Sequence, residues 1–371
     1  MHRTQHSRKT LHSLAGQVAR LSRLLTKERD RLPAAYLNDP DLREAYRAYF
    51  LPPNAGKIRI PLSELDLLPE QFPARNQLSV LDLGTGPGSS LAGVLDYFSG
   101  KNPKPVLSFT AVDQVRENLA MAEDLFAAEK NRLALRASLI TVHSVLQEAL
   151  PRLTGSFDLI ILSNVLNELF SREGRTLEKR LALLGEYLHH CLAEHGACII
   201  IEPALRETSR ELLQVRDGLL QQGYTIFAPC LCHGPCPALE NPKDWCHEDR
   251  DWDAPDEIRE LDAQTGLRKD SLKFSYVTVR KDGRTLADIT EENAYRVVSE
   301  RLATKGKSEY FLCGRLDRRL VVRLDKDRTP ANEPFGSLRR GDIATFSGLI
   351  DDGKRYKVGR DTRVTRYQGK P

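Results

Sequence analysis

Leu78-Ser79-Val80-Leu81-Asp82-Leu83-Gly84-Thr85-Gly86-Pro87-Gly88 is an apolar run that meets three alternating glycines. Leu78 to Gly84 predicts a buried strand entering a glycine turn, and Ser89 to Phe98 predicts the helix that follows. Glycine is required in such a turn because the backbone must reverse sharply and let a ligand approach without a side chain in the way. A glycine-rich loop alone is weak evidence, so its surroundings matter. Val106 to Val112 predicts a second strand, and it ends in Asp113, where an acid can accept hydrogen bonds from both hydroxyls of a ribose. Together these segments make a βαβ unit.

The alternation continues outward. Leu139 to Val142, Phe157 to Asn164 and Ala197 to Glu202 read as further strands, and Arg116 to Asn131, Glu178 to Glu194 and Thr208 to Gln222 as helices. Alternating strands and helices predict a parallel sheet covered on both faces, with ligand bound beyond the carboxyl ends of the strands. Gly84, Asp113 and Asn164 would gather there. A dinucleotide-binding loop spaces its glycines G-x-G-x-x-G, and Ser89-Ser90 offers no third glycine in that register, which disfavours a nicotinamide cofactor.

In motif order, residues 75–280 resemble the class I S-adenosylmethionine-dependent methyltransferase superfamily. The resemblance implies a Rossmann-like, seven-stranded α/β sheet. It implies that Asp82, Gly84, Gly86 and Gly88 surround the methionine part of S-adenosylmethionine, that Asp113 holds the ribose, and that Asn164 joins them. Tyr224 to Ala228 fits the sixth strand of that fold and Lys273 to Val279 its antiparallel seventh. Between those two strands lies an insertion rich in cysteine.

The chain has 371 residues, 40% hydrophobic and 29% charged, as expected of a globular protein with two domains or one large insertion. No apolar run approaches the ~20 residues that cross a bilayer, so no membrane partner is expected. The net charge of +4 is unevenly spread. Arg3 to Arg31 is basic, Glu240 to Asp262 is acidic, and from Gln264 onward 25 Lys and Arg face 15 Asp and Glu. A basic end on a near-neutral body is the footprint of a nucleic-acid binder. At the other end Leu11, Leu14, Val18, Leu21 and Leu25 recur at helical spacing; a transit peptide and a basic helix docked on the body or on RNA both fit. Asn38 to Asn54 predicts a short helix ended by Pro52-Pro53.

Of seven cysteines, Cys230, Cys232, Cys236 and Cys246 crowd into one segment. No secretory segment precedes them, so a metal site is the better reading than disulfides. Neighbouring thiolates repel one another unless a cation or cluster binds them. Zinc would take Cys or His ligands, with Cys232, His233 and His247 eligible, whereas an iron–sulfur cluster prefers four cysteines; spacing leaves both open. Cys191 and Cys198 flank the fifth strand and read as core thiols.

A narrower resemblance joins these features. Cys230 to Cys236, Asp244-Trp245-Cys246-His247, Phe274-Ser275-Tyr276, and Ser299-Glu300-Arg301-Leu302 through Cys313 are similar to the methyltransferase-like small-subunit ribosome assembly factors of mitochondria and their bacterial homologues. The likeness covers most of the chain after about residue 35, least in the last fifty or so residues. It implies a [4Fe–4S] cluster on Cys230, Cys236, Cys246 and Cys313. Cys232 stands where that family usually has the His of a Cys-Pro-His run, and Leu231 replaces its Pro.

The expected organisation is an N-terminal helical region over 1–55, a methyltransferase-like domain over 56–280 with the Cys-rich insertion at 229–262, and a basic, β-rich region over 281–371. In that last region Leu316 to Leu324, Ile343 to Phe346 and Tyr356 to Val364 predict short strands. Arg315, Arg318, Arg319, Arg339 and Arg340 are its candidate RNA contacts, suited to phosphate, while Tyr356 and Tyr367 either stack on bases or fill space. The function implied is a monomeric, S-adenosylmethionine-binding, iron–sulfur factor that works on small-subunit ribosomal RNA and proteins, in the cytoplasm of a bacterium or in the mitochondrial matrix. Two alternatives are an active rRNA methyltransferase and, more distantly, a small-molecule methyltransferase with a zinc site. No catalytic residue emerges. After the fourth strand the sequence reads Ser163-Asn164-Val165-Leu166-Asn167-Glu168, without the Asn-Pro-Pro-Tyr used to grip a base, and Asn167 with Glu168 reads as a helix cap.

Overall fold

The computed structural model describes residues 8–28, 36–68, 72, 76–171 and 173–367; the ends of the basic Arg3–Arg31 segment lie outside them. In chain order come α1 (Arg8–Thr26), α2 (Pro40–Ala45), a π-helical turn (Tyr46–Phe50), α3 (Leu51–Lys57) and α4 (Arg59–Leu65). Next are β1 (Gln77–Leu83), α5 (Ser89–Ser99), β2 (Val106–Asp113), α6 (Arg116–Arg132), β3 (Ala137–His143) and α7 (Leu146–Ala149). Then follow β4 (Phe157–Ser163), α8 (Thr176–Cys191), β5 (Leu192–Pro203), α9 (Arg206–Gln221), β6 (Thr225–Ala228), β7 (Glu248–Asp251), α10 (Asp256–Thr265) and β8 (Ser271–Arg280). The remainder is β9 (Ala294–Val297), β10 (Leu302–Thr304), β11 (Lys307–Cys313), β12 (Arg318–Leu324), β13 (Ile343–Asp351) and β14 (Tyr356–Arg366). The fold is α/β and Rossmann-like, with a large, mostly parallel sheet and a second β-rich sheet. The described residues form two compact units, one from 1–60, 76–154 and 251–272, the other from 61–75, 155–250 and 273–371.

In the first unit β1 pairs in parallel with β2, and β2 with β3; Leu83 faces Val112, and Asp113 faces His143. Val80, Leu81 and Leu83 are fully buried, which is why the β1 sequence is a continuous apolar run rather than an alternating one. Helix α5 packs on α3 through Gly93, where a Cβ would lie 2.3 Å from the carbonyl oxygen of Ala55. The apolar stripe of α1 is buried as its spacing predicts: Leu14, Val18 and Leu21 pack with Leu42, Ala45 and Tyr49 and with Ile258 and Leu261 of α10. Each such side chain contributes roughly 1.5–3 kcal/mol on burial, so α1 is a docked helix of this body.

Two expectations change here. Pro52-Pro53 does not end the helical stretch but lies in the first turn of α3, where a residue without an N–H forfeits no helical bond. Residues 256–262, counted with the Cys-rich insertion, open α10, which packs against α1.

In the second unit β4 runs parallel to β5, and β8 lies between β5 and β6, antiparallel to both. That is the arrangement expected of the sixth and seventh strands. β5 starts at Leu192, earlier than expected, because α8 stops at Cys191. β7, which the sequence does not announce, pairs with β8. The chain from β9 onward closes into a barrel in the order β9-β11-β12-β14-β13-β9, with β10 extending the β11 edge. Only the β12–β14 pairing in it is parallel. Phe335, from the 3₁₀ segment Pro330–Ser337, joins Tyr310, Leu312, Val321, Phe346 and Val364 in its core. This is the topology of an OB-type barrel. The sequence pattern does not announce β9 to β11, of which β9 and β10 are only four and three residues long.

Candidate functional site

Asp82, the last residue but one of β1, is buried, and the chain turns at Gly84, Gly86 and Gly88, all three at positive φ. The turn is fixed from beneath by Gly84 and Thr85, whose N–H groups donate to the Val112 carbonyl at 2.8 and 3.0 Å. Asp113, at the end of β2, accepts from Gly86 N–H through Oδ2 at 2.8 Å, and from Val115 N–H and Asn118 through Oδ1 at 2.8 and 3.2 Å. The expected ribose acid therefore also braces the glycine loop, and Oδ2 keeps a further lone pair for a ligand. Burial raises its pKa, against these hydrogen bonds.

Asp82 is more perturbed. Burial pushes it up to about 7, although Thr85 donates to its Oδ2 at 2.6 Å. Its Oδ1 is buried without a partner. A Cβ on Gly86 would meet nothing within 4 Å, whereas one on Gly88 would lie 3.1 Å from Ala122 Cα. The loop thus opens at Gly86 and is packed shut at Gly88. The open position at Gly86 leaves room for a ligand, and the unpartnered Asp82 Oδ1 is an acceptor that suits an N–H donor such as the methionine ammonium of S-adenosylmethionine. Tyr46, on the π-helical turn, approaches Ser89 just past this loop at 3.4 Å between oxygens.

Asn164 belongs to the second unit. It directly follows β4 with a left-handed backbone, φ +60°, and its N–H donates to the Ile201 carbonyl at 2.8 Å. The sequence reading missed Glu202, at the end of β5. It is buried, accepts from Leu166 N–H at 2.9 Å and from the Asn167 side chain, and burial pushes it up to about 7. Asn167 therefore ties the post-β4 loop to β5 rather than capping a helix. Its only sequence signal is an acid closing the apolar run Ile199-Ile200-Ile201. A carboxyl raised from 4.5 to about 7 on folding makes the folded state bind more protons between those values, so stability falls as pH rises through that window. Urea titrations of Glu202→Gln at pH 5 and pH 7.5 should show that part of the slope removed, up to about 3 kcal/mol. An unchanged difference between the two pH values would contradict it.

The cysteine segment is also in the second unit. Cys230, Cys232, Cys236, Cys246 and Cys313 all line one small cavity of about 40 Å³. Helix α9 frames it. Arg216, wholly buried, donates to the carbonyls of Cys232 and Gly234 at 2.6 and 2.7 Å, and Asp217 accepts from Cys236 N–H at 3.0 Å. Arg210 donates to Ala238, Asn241 and Asp244 carbonyls at 3.2, 2.9 and 2.6 Å. Removing a buried guanidinium strands its carboxylate partner and two carbonyls, so Arg216→Met should lose about 3–5 kcal/mol in urea unfolding; a loss below 1 kcal/mol would mean that Arg216 does not hold this segment.

Burial raises Cys246 to about 11 and Cys313 well above the ordinary thiol value, and in both the neighbouring cysteine charges add to the rise. The thiols are close enough to oppose one another's ionisation. Among the described residues, however, no group of three or more His, Cys, Asp or Glu side chains is arranged to hold a metal ion as it stands. The donor chemistry fits a four-thiolate group, and the thiols share a cavity rather than a coordination sphere. His233 is exposed and away from it; His247 lines it, stacks on Trp245 and is held neutral, its pKa lowered to about 4 by burial and Arg340. Cys191 and Cys198 are buried core thiols.

The five arginines go to different places. Arg315 donates to the carbonyls of Ala287 and Thr290 at 2.7 and 3.0 Å. Arg318 pairs with Asp244, and Arg340 with Glu300 at 3.0 Å while donating to His247 and Val298 carbonyls at 3.2 and 2.8 Å. Arg319 pairs with Asp317 at 2.9 Å over the Tyr356 ring and is 33% exposed, and Arg339 is exposed. Tyr356 packs against Tyr295 and donates to Asp317 at 3.0 Å, a space-filling role. The Tyr367 hydroxyl donates to Ile289. Among the described residues no helix is long and apolar enough to cross a membrane.

Solved structures similar to this chain include an O-methyltransferase family protein from Burkholderia thailandensis (14% identity, 72% of each chain, TM-score 0.38). Others are the methyltransferase domain of bacterial CtHen1 (17% identity, 61% of this chain and 95% of that one, TM-score 0.36) and MnmC2 from Aquifex aeolicus (14%, 57% and 55%, TM-score 0.31). No curated protein sequence matches it. Residues 43–364 match the family described as mitochondrial small ribosomal subunit Rsm22, and the chain belongs to that family.

Proposed function

We propose that the protein is an S-adenosylmethionine-binding factor of the small ribosomal subunit, holding a four-cysteine [4Fe–4S] cluster and contacting ribosomal RNA with its barrel. It acts as a monomer, in the mitochondrial matrix or, in a bacterial host, in the cytoplasm. The observation that carries the reading is that Cys313, the last residue of barrel strand β11, lines the same cavity as Cys230, Cys236 and Cys246. One group bound by all four would tie the barrel to the cysteine segment. Asp82, Gly84, Gly86, Gly88 and Asp113 would hold the cofactor. The cluster would supply a cross-link, and the alternative occupant is zinc.

The barrel arginines supply the RNA surface. Arg339 is exposed and the Arg319 side chain, paired with Asp317, is 33% exposed, whereas the Arg318 and Arg340 side chains are only 14% and 11% exposed. Each lost phosphate contact lowers the salt dependence of binding by about one unit. Binding of a small-subunit rRNA fragment, measured across salt, should lose about that much slope in Arg339→Glu. An unchanged slope and affinity would remove Arg339 from the surface.

A second reading, methyl transfer to rRNA, is favoured by the open cradle at Gly86. Incubation of subunit precursors with methyl-labelled cofactor tests it: label in the RNA makes the protein an enzyme, and binding without transfer makes it a sensor or scaffold.

A further inference from the structure

We infer that Arg318 is an outer-sphere partner of the cysteine site, a positioning residue for its occupant rather than an RNA contact. The inference rests on the four-thiolate reading of that site. Arg318 and Cys313 are direct cross-strand partners on β12 and β11, so their side chains leave the same face of the barrel as nearest neighbours. Both line the cavity. From there the guanidinium pairs with Asp244, two residues before Cys246, and lies 4.9 Å from the Phe311 ring centre. It thus bridges the barrel strand that carries one cysteine and the segment that carries another.

Two observations point to an occupant. The Arg318 Nε is buried with no acceptor, and so is the Nε of Arg216, which lines the same cavity from α9. Orphaned guanidinium N–H groups from two separate elements around a set of thiols are donors waiting for sulfur. The charge points the same way. Four thiolates around a divalent metal or a cluster core of equal charge leave the group net negative, and in a buried cavity nearby cations offset it. Phosphate, by contrast, needs an exposed fork; the Arg318 side chain is only 14% exposed and its fork is engaged by Asp244.

The test uses full-length protein purified without oxygen: wild type, Arg318→Gln, Arg318→Lys, and Arg363→Gln as an exposed control on β14. Metal and sulfide content, the rate of metal loss to EDTA, and the midpoint potential are read on each. Arg318→Gln should lose metal several-fold faster and, with a redox-active cluster, shift its potential negative, by about 59 mV for each tenfold loss of preference for the reduced form. Arg318→Lys restores the charge without the Nε–H and should recover part of both effects, while Arg363→Gln matches wild type. Still-loaded Arg318→Gln should bind rRNA as wild type does. Wild-type retention and potential in a folded Arg318→Gln overturn the inference, as does weakened RNA binding by the loaded variant. If the glutamine variant does not fold, Arg318→Lys is read alone, and wild-type metal loss in it overturns the inference. Wild-type protein that holds no metal overturns the four-thiolate reading and this inference with it.

Discussion

Gly86→Arg abolishes S-adenosylmethionine binding in protein that still folds. At φ +53° the residue sits where an L side chain is strained by roughly 1–2 kcal/mol, a modest loss for a large domain. A Cβ there meets nothing within 4 Å, so no protein atom bars the new side chain. What it fills is the open space in front of Gly86. Wild-type protein at a hundredfold excess of ligand over Kd should gain about 2.7 kcal/mol, visible as a thermal shift, and the variant none. Calorimetry should agree, with heat for wild type only. Equal binding by the two proteins would mean that the loop is not the cofactor site.

Cys313→Ser has the second large effect: loss of the bound metal, although Cys313 lies far along the chain from Cys230. Ionising four mutually repelling thiols is favourable only when a cation gathers them, and three ligands gather it less well. Anaerobic wild type should be brown, with broad visible absorbance and iron and sulfide in matching amounts, and the variant colourless and less soluble. Cys191→Ser, at a buried core position, should keep the colour. Colourless wild type with stoichiometric zinc would replace the cluster by zinc and leave the four-cysteine assignment to be tested by Cys313→Ser in the same way.

Those parts of the fold that rest on local pattern could be read from the sequence. β1, β4 and β5 are near-continuous apolar runs because both their faces are covered, and Leu14, Val18 and Leu21 repeat at the helical period because one face of α1 is. The glycine loop was legible because positive φ leaves few choices of residue. Features set by distant partners were not. α10 carries only Ile258 and Leu261 as buried apolar residues, within an acidic run, so its place against α1 is invisible locally. Glu202 looks like any strand-ending acid until Asn167 and Leu166 are seen to donate to it. The arginines illustrate the same limit. Sequence counts their charges but cannot tell that Arg315 points into two carbonyls while Arg339 faces solvent. β9 and β10 are hidden for a different reason: strands of three or four residues carry no alternating pattern long enough to read.

The central claim is that one bound group couples the cysteine segment to an RNA-binding barrel. Its most direct measurement is the affinity of anaerobically purified protein for a small-subunit rRNA fragment, titrated across salt, for wild type and for Cys313→Ser shown by circular dichroism to be folded. Wild type should bind with a steep salt dependence and Cys313→Ser several-fold more weakly at every salt concentration, with a shallower slope, because arginines released from a common frame no longer meet the phosphates together. Equal affinity and equal slope in a folded, metal-free Cys313→Ser would contradict the claim.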